Sequence, residues 1–489
     1  MKDRIPAFLL VSLALGVLAD ILLRAEPWGI NVLAGLFPLA SAFVWLHARS
    51  RYPLAEGWQY TLAAGLAAAT LLAWRSSALL QVTNILFIML ALLATVSRPA
   101  SGSLRDATPT NLATAGLVYG VHAMFGSVFL VAGELRRTPP PSAKPSFLLR
   151  VAKGAALALP PLAIFCILFM GADPVFNHDV HAVLDIDFQA AASHLLLTAV
   201  AAWFIAGSLR GRFLAEPVPL RFGNIPRSLR LGITEISVVL GSLIALFAAF
   251  LTVQFRYLFG GASLIDVVPG LTYAQYARTG FFELVFASAI VLPFILAADW
   301  LLLPDVGRNR TVFRVLALVL VALVFVLMAS ALQRMLLYQN EFGLTELRFF
   351  VTAFMAWLAL MFILFAATAL RGRRDSFLSS GFAVTFAFLI VLNVINPDNW
   401  IACTNLARAS EGKSFDAQYN ARLGDDAVPV LIQNLSALKD TDRQLLLKGL
   451  SLSSRRIERA DWRSWTVSRS VARELLTSRL TTPDTVRQP

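Results

Sequence analysis

The chain has 489 residues, of which 57% are hydrophobic and only 15% charged, and its mean hydropathy is +0.68. Soluble domains carry about 25% charged residues, so most of this chain belongs in lipid. The net charge of +12 does not indicate nucleic acid, because the arginines sit mainly in short loops between apolar runs, as topology signals do.

A membrane-crossing helix needs roughly 20 apolar residues. Apolar length predicts spans near 5–23, 29–47, 57–74, 78–96, 113–133, 154–172, 190–209, 231–253, 280–303, 312–333, 349–370 and 376–395. The first follows Met1-Lys-Asp-Arg4 and reads as an uncleaved span, since more apolar runs follow directly. The 113–133 candidate is the weakest, because it holds His122 and the glycines Gly116, Gly120 and Gly126; it reads as re-entrant or interfacial. Pro139-Pro-Pro141 is a stiff linker within a basic loop. In the tail, Asp426 offers an N-cap to apolar residues at helical spacing up to Leu435, and Asp440 to Leu450 reads as a second helix. The expected fold is all-α: a polytopic bundle of eleven or twelve spans carrying a small C-terminal extracytoplasmic helical module. Its divisions are N-terminal helices over 1–133, a core membrane domain over 134–395 and the tail over 396–489.

Orientation follows from lysine and arginine in alternate loops. From residue 134 on, one set holds Arg136, Arg137, Lys144, Arg150, Lys153, Arg210, Arg212, Arg221, Arg227, Arg230, Arg308, Arg310, Arg314, Arg371, Arg373 and Arg374, against Arg256, Arg278, Arg334 and Arg348 in the other. The richer set is assigned to the cytoplasm, which leaves the tail outside a bacterial inner membrane. Lys2, Arg4, Arg49, Arg51, Arg98 and Arg105 argue for a cytoplasmic N-terminus, against Arg24 and Arg75. Both halves agree only with an odd number of spans before residue 396. Eleven spans are therefore favoured over twelve with an external N-terminus.

Four polar segments fall on the expected external face: Gln254–Gly261, Tyr273–Glu283, Tyr338–Arg348 and Asn393–Asp398, the last running on to Asn405 and Arg408. Glu283 lies in an apolar run, where an unpaired carboxylate costs several kcal/mol, and Arg256 and Arg348 are its candidate partners. Arg256, Arg278, Glu283, Glu341 and Arg348 are the candidate ligand-binding set, since arginine forks match phosphate oxygens. Tyr273, Tyr276, Asn396 and Asp398 are expected to be structural polar groups. His178, Asp179 and His181 share one loop but supply too few fixed ligands for zinc, so no metal site and no cofactor is expected. Cys166 and Cys403 are too few for a disulfide framework or a thiolate metal site.

Tyr273-Ala-Gln-Tyr-Ala-Arg-Thr-Gly-Phe-Phe-Glu-Leu284, together with Phe342–Arg348, Ala172–Phe176 and Asn396-Pro-Asp398, resembles the bacterial membrane family termed domain of unknown function 4173, over about residues 150–435. That resemblance implies a polytopic architecture and no activity. There is no Walker A loop, nucleophile elbow, His-Glu-x-x-His or kinase signature. Three functions stay open: an envelope scaffold or sensor with an external anionic-lipid site, a lipid- or glycan-handling enzyme, and a secondary transporter or channel. The expected partners are membrane lipids and another envelope protein docking on the tail, not nucleic acid.

Overall fold

A computed structural model describes residues 5–49, 56–96, 109–130, 165, 169, 172–173, 188–213, 230–259, 281–303 and 307–480. The first eleven helices in chain order are α1 (Ile5–Leu23), α2 (Ile30–Ala48), α3 (Trp58–Trp74), α4 (Ala78–Val96), α5 (Pro109–Phe129), α6 (Phe188–Phe213), α7 (Ile233–Phe259), α8 (Phe281–Leu301), α9 (Arg308–Phe342), α10 (Glu346–Ala367) and α11 (Arg374–Ile395). Then come α12 (Pro397–Ser410), α13 (Ala417–Asn420), α14 (Val428–Gln433), α15 (Asp440–Glu458) and α16 (Val467–Leu480). Among the described residues eight helices are long and apolar enough to cross a membrane: α2, α4, α6, α7, α8, α9, α10 and α11. The β-structure described is one isolated parallel bridge, Leu231 to Leu302. The chain is an all-α polytopic bundle, as its apolar runs require. The expected 154–172 span falls almost entirely outside the described residues.

The chain divides into two compact units. The first gathers residues 1–26, 31–54 and 115–219. In it, Asp20 accepts from Arg24 Nε at 2.8 Å and lies 2.5 Å from His194 Nδ1, which links α1 to α6. Asn31 closes the end of α1 by donating to the Leu22 and Ala25 carbonyls. The glycines of α5 do not break it. Gly126 faces Gly207 of α6 so closely that an added Cβ would sit 2.8 Å from the Gly207 carbonyl, and the small pair lets the two backbones touch. Trp203 Nε1 donates to the Met124 carbonyl at 2.7 Å across the same contact. The segment is thus a packed helix.

The second unit holds residues 27–30, 55–114 and 220–489. Its central element is the 35-residue α9. At 1.5 Å per residue α9 is about 52 Å long, against a hydrocarbon core of about 30 Å. Phe313, Ala317, Leu320, Val324, Leu327, Ala331 and Met335 recur every three or four residues and are all buried, forming one seam that packs on α7, α8 and α10. The α3–α4 hairpin joins α11 through Phe87, stacked on Phe386 at 5.2 Å. It also joins through a reciprocal amide pair, Asn84 with Asn393, both fully buried.

Beyond α11 the chain leaves the apolar regime. Asn396 has φ 58°, the one non-glycine residue described in the left-handed region, and Pro397 opens α12 at its first turn. Residues 397–480 form a helical module with its own core of Ile401, Leu423, Leu431, Leu446, Leu450, Ile457 and Leu476. Asp426 does not cap a helix. It lies in a 3-10 turn, the cap position of α14 is Ala427, and no side chain caps there, because the Asp426 carboxylate is drawn into the contacts described next.

Candidate functional site at the junction of module and membrane helices

Three inter-helix turns meet the module on one face of the second unit. In the 27–30 turn, the Ile30 N–H donates to the Trp465 carbonyl at 2.9 Å, and Gly29 lies against Ser464 and Trp465 where an added Cβ would clash at 2.4 Å. In the 75–77 turn, Asp426 accepts from Arg75 Nη1 at 3.0 Å, from the Ser76 N–H at 2.8 Å and from Ser76 Oγ at 3.1 Å, with Ser468 Oγ also bonded to it. Arg75 Nε reaches the Asn393 carbonyl at 2.9 Å, and its guanidinium lies 4.1 Å from the centre of the Trp74 ring. The neighbouring Asp425 is held by Arg469 Nε at 2.8 Å and Arg456 Nη2 at 3.2 Å.

The third turn, 343–345, is read by side chains of α12 and α13. Asn405 accepts from the Leu344 N–H at 2.9 Å and donates to the Leu344 carbonyl at 3.0 Å, while Tyr419 Oη accepts from the Glu346 N–H at 2.7 Å. Gly343 makes this turn with φ 78°. The last turn of α9 leaves carbonyls without helical partners. Arg408 donates to those of Asn340 and Glu341 and to the Gln339 carbonyl, which also accepts from the Gly343 N–H, and Arg348 donates to those of Phe342 and Gly343. Two cations at a helix C-terminus also suit its dipole.

At the centre lies Asp398, with no exposed surface. Its Oδ2 accepts from the Gly424 N–H at 2.9 Å, and its Oδ1 has no hydrogen-bond partner among the described residues. The groups beside it are Ser77, fully buried, and the carboxyls of Glu346 and Asp426. Burial, then the Glu346 and Asp426 carboxylates, push Asp398 up to about 8. Burial and the two neighbouring acids thus favour the protonated form of this carboxyl, and burial raises Glu346 beside it as well. Burial likewise holds the Tyr419 phenol well above its ordinary range, so it stays a hydroxyl.

Of the residues singled out in the sequence, the junction contains Arg348, Asn393, Asn396, Asp398, Asn405 and Arg408. Glu341 is exposed and contributes its backbone carbonyl. Glu283 is exposed too. It stands in the first turn of α8 rather than inside the run, where the helix dipole favours a carboxylate, and no ion pair joins it to Arg348. Tyr273, Tyr276, Arg278 and the side chain of Arg256 lie outside the described residues, as does the His178–His181 loop. Among the described residues no group of three or more His, Cys, Asp or Glu could hold a metal ion. Sequence reasoning gave Arg75 and Asp426 other roles, included Glu346 only within a polar segment, and did not single out Ser77, Asp425 or Arg469. A signal existed in Arg75-Ser-Ser77, a charged turn between apolar runs.

Fold and junction define a multi-pass α-helical membrane protein with a clamped helical module. The chain belongs to the family described as Domain of unknown function (DUF4153), whose model matches residues 61–434. This corrects the 4173 resemblance. The match begins in α3, well before the segments that carried the resemblance. No curated protein and no solved structure matches the chain.

Proposed function

We propose that this chain is a scaffold or sensor of the bacterial inner membrane, with its C-terminal module on the extracytoplasmic face as the working part. The observation that carries the reading is the clamp: buried polar groups fix the module to three inter-helix turns at once, which suits a module held in a set pose. The charge pattern supports the external assignment. The flanks of the spans on the module's face carry few cations, and Arg98 and Arg105 follow α4 at its far end. Arg75 and Arg348, two of the exceptions, are bound to protein groups. Trp462 and Trp465 are exposed 68% and 42%, near the 27–30 turn, as suits amphipathic rings resting at the headgroup level. Another envelope protein docking on the module is the partner in this reading.

Complementation of a deletion strain, combined with photo-cross-linking from a reactive residue placed at exposed Ser478, tests the reading. A discrete protein adduct, lost together with complementation when Arg75→Ala and Asp426→Asn release the module, is the expected result. Full complementation by that released variant would assign the activity to the membrane helices and defeat the proposal.

A further inference from the structure

Between α15 and the segment around Ala421, beside the core, the module carries a cavity of about 450 Å³. Leu446, Leu450 and Ile457 turn inward and are at most 1% exposed. Leu445, Lys448, Leu452 and Arg456 line the cavity from α15, and Ala421 and Arg422 close it from the segment after α13. A cavity of this size is in the range that holds small ligands, about 300–1,000 Å³.

Its chemistry is one-sided. Three of the lining residues are cations, and none is an acid. Arg422 and Lys448 are exposed, with no ion pair on either side chain among the described residues. Arg456 does meet a carboxylate, Asp425, but Asp425 already binds Arg469 at 2.8 Å, so one negative charge serves two guanidiniums. Leu445 and Leu452 stand 43% and 59% exposed at the same cavity, although the core beneath is complete without them. Cations that converge on a concave site with apolar walls are complementary to an anion that carries an apolar part.

We propose that this cavity binds a phosphate group borne on an apolar chain, that is, the headgroup end of an anionic phospholipid. Arg422, Lys448 and Arg456 would take the phosphate, and Leu445 and Leu452 the first part of the apolar chain. Phosphate is favoured because it offers several oxygens to three donors, and a membrane-bound module has lipid as its nearest phosphate source. The inference deepens the scaffold-or-sensor reading by giving the module a ligand, and it rests on the module lying outside the bilayer.

Native mass spectrometry tests it on the full chain, supplied with equal phosphatidylglycerol and phosphatidylcholine. The comparison is wild type against Arg422→Ala/Lys448→Ala, which leaves the Arg456–Asp425 pair in place. Wild type should retain phosphatidylglycerol, and the variant should lose roughly tenfold or more of that binding, the scale of one or two charge-assisted contacts. Its melting temperature should not move, since both side chains are exposed. Equal retention by both proteins, or retention by neither, overturns the proposal. Displacement of the lipid by glycerol phosphate at equal concentration would make the ligand a soluble phosphate and overturn the apolar half. None of these outcomes bears on the clamp or on cross-linking from Ser478.

Discussion

Arg75 and Asp426 stand 351 residues apart in sequence and 3.0 Å apart in space, with side chains 13% and 1% exposed. The pair joins the α3–α4 turn to the module and is backed by Ser76, Ser468 and the Asn393 carbonyl. Breaking a buried pair by removing one partner typically costs about 3–5 kcal/mol. Arg75→Ala should therefore lower the melting temperature of the purified protein clearly, whereas Lys439→Ala on the exposed module surface should not. Hydrogen exchange should rise first in residues 425–434 and 467–480. An unchanged exchange pattern in Arg75→Ala would show that the Arg75–Asp426 pair is not needed to hold the module in place.

Asp398 gives the protein a pH dependence with a definite sign. Its carboxyl is raised from the ordinary 3.8 to about 8 in the folded state. Between those values the unfolded chain has released the proton and the folded chain keeps it, so stability falls as pH rises through the window. The stabilising contribution is complete below about pH 4 and gone above pH 8, with a slope of up to about 1.4 kcal/mol per pH unit. Asp398→Asn, which keeps an acceptor for the Gly424 N–H, should flatten the melting-temperature profile and be at least as stable as wild type at pH 8. Parallel profiles for the two proteins would mean that Asp398 is ionised in the fold.

The third prediction concerns the 343–345 turn. Gly343 has φ 78°, and an added Cβ would lie 2.9 Å from Asn405 Oδ1. Gly343→Ala combines backbone strain with pressure on the amide that reads Leu344, and should cost on the order of 1–3 kcal/mol. Arg408→Ala should cost a similar amount by taking the guanidinium from the Asn340 and Glu341 carbonyls, while Gln339 keeps the Gly343 N–H. Thermal denaturation in detergent measures both. A change of less than about 0.5 kcal/mol in each would show that the end of α9 is solvated and needs no cap.

Most of the membrane part could be read from the sequence, because lipid imposes length and hydrophobicity on each helix. In the stretch over 113–133 glycine has two meanings: a break in an isolated helix, and a close contact where Gly126 meets Gly207. The junction was legible only in part. Asn396 and Asp398 stand out beside apolar runs, whereas Asp425, Asp426 and Arg469 sit in a charged tail where such residues are ordinary. Their burial comes from long-range packing, which local pattern does not encode. Arg348 was read as an anion receptor because an arginine fork matches phosphate oxygens; here it donates to the Phe342 and Gly343 carbonyls, a contact that depends on the fold of the 343–345 turn.

Cys403 supplies the test of orientation. It lies in α12, exposed, in the module that the charge pattern assigns to the extracytoplasmic side. The chain has one other cysteine, Cys166, so a Cys166→Ser background makes the readout unambiguous. A membrane-impermeant maleimide added to intact cells with a permeabilised outer membrane should label Cys403 as fully as it does after lysis. A thiol introduced by Ser376→Cys, at the start of α11, should label only after lysis, because α11 crosses the membrane between the two positions. Protection of Cys403, together with labelling of the Ser376→Cys thiol in intact cells, would invert the topology. The module, its clamp and its cationic cavity would then face the cytoplasm, against the distribution of arginine along the chain.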